Sequence, residues 1–288
     1  MSRTVRAYYE LTKPGITLFI GITAAAGFVT ALDGFGMATA FVITMTATML
    51  MSGGAATLNQ VAERKWDALM RRTATRPIPS GVIPATSARA FGWALGAAGL
   101  LLSLLLPWPA TLFLVLCHVS YVNLYTPLKR RTPLCTLAGA IPGALPVLAG
   151  WTATGAAIDT AAIALTGVLF MWQIPHFLAI GWLARDDYAR AGCPMLTVVE
   201  TSGRATARVS FVYTCATLIC AIIVGVTKAA GPLYSVTAMV AGAAYIASAW
   251  RLLRLPESRR SARQLFFISL VVLPVLLSAL MVDLVLLD

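Results

Sequence analysis

Apolar runs recur along the whole length of this 288-residue chain, and they restrict its fold more than any other feature. Each run has roughly 20 residues, which is enough for a helix to cross the hydrocarbon core of a bilayer. Charged residues make up only 11% of the chain, far below the quarter that is typical of soluble domains. The sequence therefore predicts an all-α, polytopic membrane protein that forms a single domain over residues 1–288.

Nine transmembrane helices are expected from the positions of these runs. The first run follows a charged N-terminal segment, but it is too long for a signal peptide and lacks a clear cleavage pattern, so we interpret it as an uncleaved span. The expected spans are residues 15–34, 36–58, 90–107, 109–125, 134–151, 160–183, 208–227, 231–250 and 265–286.

The net charge of +11 is distributed on one side of these spans. Lys and Arg precede the first span and occupy every second connection, and Lys228 is the exception. This asymmetry follows the positive-inside rule, so we expect a multi-pass protein of the cell membrane with a cytoplasmic N-terminus and a C-terminus outside. It also argues against nucleic acid as the partner of the basic residues, and it leaves membrane lipid as the surroundings.

A polar segment with five Lys or Arg and two acids follows the second span directly, at residues 59–81. Asn59, Glu63 and Asp67 are four residues apart, so on a helix they lie on one face. A solvated helix end is the ordinary interpretation of such a charge run, but ionisable groups at membrane depth indicate function. Mg²⁺ prefers oxygen ligands and bridges carboxylates to substrate phosphates. Arginine binds phosphate oxygens in pairs, and the segment provides Arg64, Arg71, Arg72 and Arg76.

Two further polar clusters lie on the same predicted side. After the fourth span, YTPLKRRTPL offers Tyr125 and Lys129 as phosphate contacts, whereas Arg130 and Arg131 are interpreted as membrane anchors. The sixth span leads into the third cluster, WQIPHFLAIGWLARDDYARAGCPML.

In that third cluster, Pro175 is expected to kink the span beside His176, and a histidine at such a place favours function. Asp186 and Asp187 follow the end of the sixth span as Glu63 and Asp67 follow the second, with Arg185 as a further diphosphate contact. His118 has no such surroundings and is interpreted as a packed polar residue.

Two acidic clusters with Arg and Lys around them predict a bound diphosphate with Mg²⁺ at the cytoplasmic face. The apolar interior below them predicts that the rest of the substrate is lipid-like, which points to a prenyl diphosphate. A transporter is the alternative from another class, but its polar site is expected near the bilayer centre. A non-catalytic assembly factor would not need the row of Asn59, Glu63 and Asp67.

The segment NQVAERKWDALMRRTATRPIPSG resembles the first aspartate-rich motif of the UbiA superfamily of intramembrane prenyltransferases. More narrowly, it resembles the family of protoheme IX farnesyltransferases (haem O synthases), together with YTPLKRRTPL, GAIPGALPVLAGW and the third cluster. The resemblance implies nine spans around a central cavity. It also implies transfer of farnesyl from farnesyl diphosphate to a vinyl group of haem b, with addition of water, to give haem O.

Site residues follow from the resemblance position by position. It implies that Asn59, Glu63 and Asp67 form the first Mg²⁺–diphosphate motif and that Asp186 and Asp187 form the second. Arg71, Arg76, Tyr125 and Lys129 match positions near the diphosphate, and His176 belongs to the WQxPHF signature with a haem-facing role.

The chain departs from the family pattern in two places. The second motif reads DDY, which is less acidic than usual, and Cys135 stands where Asn is more common. The rival enzyme is a relative that prenylates an aromatic quinone precursor, and the WQIPHF signature argues against it. The resemblance further implies a downstream haem-modifying enzyme or an oxidase assembly factor as recipient of the product.

Overall fold

The computed structural model of the protein describes residues 2–32, 36–227 and 229–287. Within these ranges the regular structure is helical throughout, as expected from the apolar runs. A short π-helix is also present at Ser120–Tyr125. The helices are α1 (Arg3–Leu11), α2 (Pro14–Thr30), α3 (Ala38–Asp67), α4 (Ala85–Ser103), α5 (Trp108–Val119), α6 (Thr126–Leu128), α7 (Cys135–Ala153), α8 (Thr160–Leu183), α9 (Arg185–Arg190), α10 (Leu196–Val199), α11 (Arg204–Gly225), α12 (Pro232–Arg254) and α13 (Arg259–Leu287).

Each of the nine expected spans overlaps one long helical segment of the described residues. By length and hydropathy, seven of these segments qualify as membrane spans, and α1 and α2, bent by 44°, make up to eight. The helix α4, at the expected third span, is not among them, so nine spans and the N-terminal orientation stay predictions. Lys228, the exception in the charge pattern, lies outside the described residues, as does most of the first connection.

The long helices pack in a closed circuit. α3 contacts α2, α4 and α5, and α7 contacts α2, α5 and α8. α8 in turn packs against α11 and α13, α12 packs between α11 and α13, and α13 returns to α2. The first and last expected spans therefore contact each other, which places residues of both beside α8.

Small residues allow α2 and α7 to approach at backbone distance. A methyl group at Gly27 would collide with the Val147 carbonyl, and one at Gly150 would collide with the Ala24 carbonyl. Such contacts are the usual way in which membrane helices pack, because lipid provides little hydrophobic force between them. The close pair fixes the height of α2, and hence of Lys13 at its start, relative to the rest of the bundle.

One end of the bundle carries the polar connections, and we call it the polar end. It comprises α1, the α3–α4 loop, α6, α9 and α10. The π-helix before α6 gives the wider turn that often marks functional sites. Its last turn is closed by Thr126, whose Oγ1 donates to the Tyr121 carbonyl at 2.8 Å.

A buried carboxylate at the opposite end fastens the last helix to its neighbour. Asp283 of α13 is 2% exposed and accepts backbone N–H groups at the start of α12, from Gly231 at 3.0 Å, Leu233 at 3.3 Å and Tyr234 at 2.6 Å. The first N–H groups of a helix lack partners within the helix, so an external acceptor stabilises them. Asp283 lies inside an expected span, and its role was not predicted from the sequence.

Asp283→Leu is expected to lower the free energy of unfolding by about 1–3 kcal/mol, because it leaves buried N–H groups without an acceptor. Thermal unfolding of the purified protein in detergent measures the loss. Asp283→Asn is the matched control, because its amide oxygen still accepts at the helix start, and it should unfold closer to wild type. Equal losses in both variants would contradict the capping role.

Candidate active site

The row of oxygen-bearing side chains lies on one uninterrupted helix. α3 runs from Ala38 to Asp67, so the expectation that the second span continues through the polar residues is confirmed. Asn59, Glu63 and Asp67 are 2%, 4% and 0% exposed. A solvated helix end would leave them exposed, so the ordinary interpretation of the charge run is wrong here.

A cation supplied by another part of the chain contacts each member of the row. Lys13 Nζ donates to Asn59 Oδ1 at 3.0 Å, Lys129 Nζ donates to both Glu63 oxygens at 2.8 and 3.0 Å, and Arg76 Nη1 donates to Asp67 Oδ2 at 2.7 Å. The row and its partners together contain two carboxylates, Glu63 and Asp67, and three cationic side chains. The cations exceed the acids locally, and an excess of positive charge favours binding of an anion.

Asn59 is held in one orientation by two contacts. Its Oδ1 faces Lys13, and its Nδ2 donates to Thr126 Oγ1 at 3.1 Å. The amide therefore joins the start of α2 to the segment after the π-helix. This contact brings the row close to Tyr125 and Lys129, which were predicted from the sequence as phosphate contacts.

Lys129 is the least exposed of the three cations: it is buried, whereas Lys13 and Arg76 are partly exposed. Burial alone would lower its pKa, but the Glu63 carboxylate beside it outweighs that effect and holds the pKa well above its usual value. Its ammonium also lies 5.8 Å from the Tyr188 ring centre. Lys129 therefore remains charged at neutral pH and links α3 to α9.

The second acidic cluster reaches the first through Asp187. The Arg72 backbone N–H donates to Asp187 Oδ2 at 3.4 Å, and Arg190 pairs with Oδ1 of the same carboxylate. An apolar cluster packs the α3–α4 loop against the start of α7 and against α9 with the segment that follows it. Its buried members are Met70, Cys135, Tyr188, Ala191, Cys193 and Met195.

Cys135 is fully buried in that cluster, with Sγ 3.4 Å from Met195 Sδ. At this position, where Asn is more common in the family, the cysteine therefore packs as an apolar residue. Arg130 lies over the Trp66 ring at 3.4 Å and donates to the Ala191 carbonyl at 3.3 Å. Arg130 therefore joins the end of α3 to the segments after α6 and α9, whereas Arg131 is exposed. The interpretation of both arginines as membrane anchors stays a prediction.

Several predicted site residues lie apart from the row. Asp186 is exposed and faces Arg185 at 3.9 Å and Arg259 at 3.7 Å. Arg185 also lies 4.7 Å above the Trp182 ring. Arg64 donates to the Val61 carbonyl within its own helix at 2.7 Å, and Arg71 is exposed. Of the DDY pair, the structure thus brings only Asp187 to the first cluster.

His176 is enclosed by aromatic rings within the bundle. α8 continues from Thr160 to Leu183 and includes Pro175. The imidazole stacks on Trp172 at 5.0 Å and on Phe266 at 5.3 Å, and its Nδ1 lies 2.8 Å from Ser269 Oγ. His118, by contrast, contacts the Met51 carbonyl at 3.0 Å and packs between α3, α4 and α5.

Lys13 was not among the predicted site residues, although its surroundings carry a signal. It precedes Pro14 at the start of the first span, and a residue before proline is restricted in conformation. In the part of the chain that the structure describes, it is the one residue other than glycine with positive φ, at 50°. Strained backbone of this kind clusters at functional sites, and here it turns the ammonium toward Asn59.

One oxygen of the row is available for a divalent cation of the Mg²⁺ type, while the others accept from Lys13, Lys129 and Arg76. Asp67 Oδ1 is buried and has no hydrogen-bond partner among the described residues, so one carboxylate oxygen is available for a further positive ligand. Those residues contain no group of three His, Cys, Asp or Glu able to hold a metal alone. This suits Mg²⁺, which is commonly held by one or two carboxylates with substrate phosphates and water completing its shell.

Comparisons with known proteins agree on one family. The UbiA prenyltransferase family matches residues 20–271. A protoheme IX farnesyltransferase of Koribacter versatilis is 38% identical over 97% of this chain and 93% of its own length. Another, of Opitutus terrae, is 37% identical over 96% of this chain and 94% of its own length.

Solved structures share the same fold at low sequence identity. A structure described for digeranylgeranylglyceryl phosphate synthase has a TM-score of 0.81 at 16% identity and covers 99% of both chains. A UbiA homologue from Archaeoglobus fulgidus bound to GPP and Mg²⁺ has a TM-score of 0.71 at 16% identity, over 95% of this chain and 99% of its own.

Proposed function

Because the chain belongs to the UbiA prenyltransferase family, we propose that it transfers the farnesyl group of farnesyl diphosphate to a vinyl group of haem b. Water adds in the same reaction, and the products are haem O and diphosphate. The chain is a prenyltransferase and an integral membrane protein. Our proposal concerns three further points: haem b as the acceptor, Mg²⁺ as the metal, and a cytoplasmic orientation of the polar end.

The observation that carries the proposal is the buried row on α3 with its three cations at the polar end. A diphosphate needs several positive groups at one place, and an isoprenoid chain needs an apolar interior directly below them. Lys13, Lys129 and Arg76 supply the charge. Tyr125 beside Lys129, and Arg64, Arg71 and Arg185 elsewhere at the polar end, are further diphosphate contacts in the proposal.

Mg²⁺ held by Asn59, Glu63 and Asp67, and by Asp187 of the second cluster, would neutralise diphosphate charge when present. The chain's own cations act on the leaving group. As the bond between farnesyl C1 and the diphosphate oxygen breaks, its electron pair leaves with diphosphate, and the cations stabilise the added charge. The surrounding helices exclude water from the allylic cation.

Carbon–carbon bond formation completes the transfer. The vinyl π electrons of haem bond to farnesyl C1, and the positive charge moves to the vinyl carbon beside the porphyrin. The oxygen of one water bonds to that carbon and releases one proton, which balances the diphosphate anion. The aromatic surroundings of His176 provide a surface on which a planar porphyrin can pack.

The spacing of the two regions along α2 agrees with this arrangement. Phe19 contacts Trp172 of the aromatic region, with 5.9 Å between ring centres. At 1.5 Å per helical residue, Phe19 lies about 9 Å along α2 from Lys13. Because the vinyl carbon bonds to farnesyl C1 beside the diphosphate, a porphyrin packed at Trp172 would have to extend across this distance itself. We place the polar end at the cytoplasmic face of the cell membrane, because the Lys and Arg residues collect there.

A product assay tests the proposal and the metal together. Purified protein in detergent receives haem b, farnesyl diphosphate and Mg²⁺, and mass spectrometry identifies the extracted porphyrins. We expect a hydroxyethylfarnesyl haem that disappears when EDTA is added and returns when Mg²⁺ is supplied in excess.

Two other outcomes would redirect the assignment. Prenylation of a supplied hydroxybenzoate or naphthoate, with haem unchanged, would retain the fold and the diphosphate site and reject haem as the acceptor. Absence of any prenylated product, with movement of a polar solute across vesicles that contain the protein, would favour a transporter. A positive result leaves the downstream haem-modifying enzyme or oxidase assembly factor as the next partner to identify.

A further inference from the structure

The surroundings of His176 fix the plane of its imidazole. Trp172 stacks on one side at an interplanar angle of 18°, and Phe266 stacks at 28°. The Trp172 ring is itself held, because its Nε1 donates to the Ser269 carbonyl at 2.8 Å. His176 is 9% exposed, so the ring is almost wholly enclosed and has little freedom to rotate.

Hydrogen bonding around Ser269 determines which imidazole nitrogen carries the proton. Ser269 Oγ lies 2.5 Å from the Phe266 carbonyl oxygen. Two oxygens at this distance repel unless a proton lies between them, so the hydroxyl donates to Phe266. The same Oγ must then accept from His176 Nδ1, 2.8 Å away. Neutral imidazole has one N–H, so Nε2 carries the lone pair.

That Nε2 lone pair makes no hydrogen bond in the described ranges 2–32, 36–227 and 229–287, and Nε2 is not among the fully buried atoms that lack a partner, so it is accessible from outside the ring's own contacts. A histidine that served only to link α8 to α13 would need the Ser269 contact and nothing more. The unused nitrogen therefore indicates a ligand.

We propose that Ser269 is a positioning residue that fixes the His176 tautomer, so that Nε2 can ligate the iron of haem b. The inference rests on the proposed function, since haem is the proposed acceptor. Imidazole ligates iron through one nitrogen while the other donates to an oxygen, and this second contact sets both tautomer and ring orientation.

Iron suits the site better than the proton of a water molecule. The ring faces are covered by Trp172 and Phe266, and the Ser269 proton is committed to a carbonyl, so no described polar group is placed to pass a proton onward. Iron needs only the lone pair and a fixed direction. The iron–Nε2 bond would hold the porphyrin in one position, below a diphosphate bound at the polar end.

Haem binding without farnesyl diphosphate tests the inference. Ferric haem b is titrated into the full-length protein in detergent, and absorption and electron paramagnetic resonance spectra report imidazole ligation. We expect a ligated spectrum for wild type, its loss in His176→Ala, and haem affinity reduced about 10–100-fold in Ser269→Ala. Ser269→Thr keeps the hydroxyl and should recover most of the affinity. Ser261→Ala, a buried serine on the same helix, is the matched control and should bind as wild type does.

Each contrary result has a defined meaning. Wild-type affinity and spectrum in Ser269→Ala would overturn the positioning role. No imidazole ligation in wild type would overturn the inference, and farnesylated haem in the product assay would show that the proposed function stands without it. Where Ser269→Ala fails to fold, His176→Gly with added imidazole replaces it: restoration of the ligated spectrum supports the inference, and failure to restore it in folded protein overturns it.

Discussion

Asp67→Asn is expected to reduce farnesyl transfer by at least about 100-fold, the upper end of the effects seen when the surroundings of a metal ligand are altered. The Asp67 side chain is fully buried, and its Oδ1 is the row oxygen that has no protein partner among the described residues. The substitution replaces one carboxylate oxygen with an NH₂ group, which repels a cation. Initial rates with haem b, farnesyl diphosphate and Mg²⁺ measure the effect, and quantitative immunoblotting measures membrane abundance.

Abundance should remain close to wild type, because the Arg76 side chain is 25% exposed and can reach water when its partner loses charge. Asp159→Asn is the matched control. Asp159 accepts the Ala162 N–H at 2.9 Å at the start of α8, and Asn caps a helix about as well as Asp, so activity and abundance should both be retained. Parallel losses of abundance and activity in Asp67→Asn would instead assign the residue a structural role.

The sequence predicted the helices and the acidic row because both are local patterns. An apolar run long enough to span a membrane can be recognised within one segment of the chain. The same holds for oxygen-bearing side chains spaced four residues apart. α8 begins and ends at the expected residues, Thr160 and Leu183. The two largest boundary differences lie at polar ends: α3 extends to Asp67 and α13 starts at Arg259, because amphipathic ends continue a helix beyond the apolar core.

The partners of the row were harder to predict because they come from distant parts of the chain. Lys13 and Lys129 meet the row only after α2 and the π-helix pack beside α3. The sequence also predicted both Asp186 and Asp187 as metal ligands. The first turn of α9 separates them, directing Asp187 to the α3–α4 loop and Asp186 outward to Arg259. Ser269 had no signal of its own, since its significance depends on His176 of another helix.

Glu63 and Lys129 form the pair whose disruption should affect both stability and activity. Their side chains are 5% and 11% exposed, so removal of either partner leaves a nearly buried charge without compensation. Glu63→Gln and Lys129→Met are each expected to destabilise the protein by about 3–5 kcal/mol. Both should also reduce farnesyl transfer, because the proposed site loses either an oxygen ligand or a cation. Thermal unfolding in detergent and initial rates measure the two effects separately.

The double variant Glu63→Gln/Lys129→Met separates structure from function. With both charges removed, no uncompensated charge remains, and replacement of a buried ion pair by uncharged residues is often neutral for stability. The unfolding temperature should therefore return toward wild type, while farnesyl transfer stays as low as in the single variants. The exposed pair Arg6–Glu10 provides the control, and Arg6→Met/Glu10→Gln should change neither quantity much. Recovery of activity together with stability would mean that the pair only holds α3 against α6, and the oxygen ligands of the proposed metal would then have to be Asn59, Asp67 and Asp187.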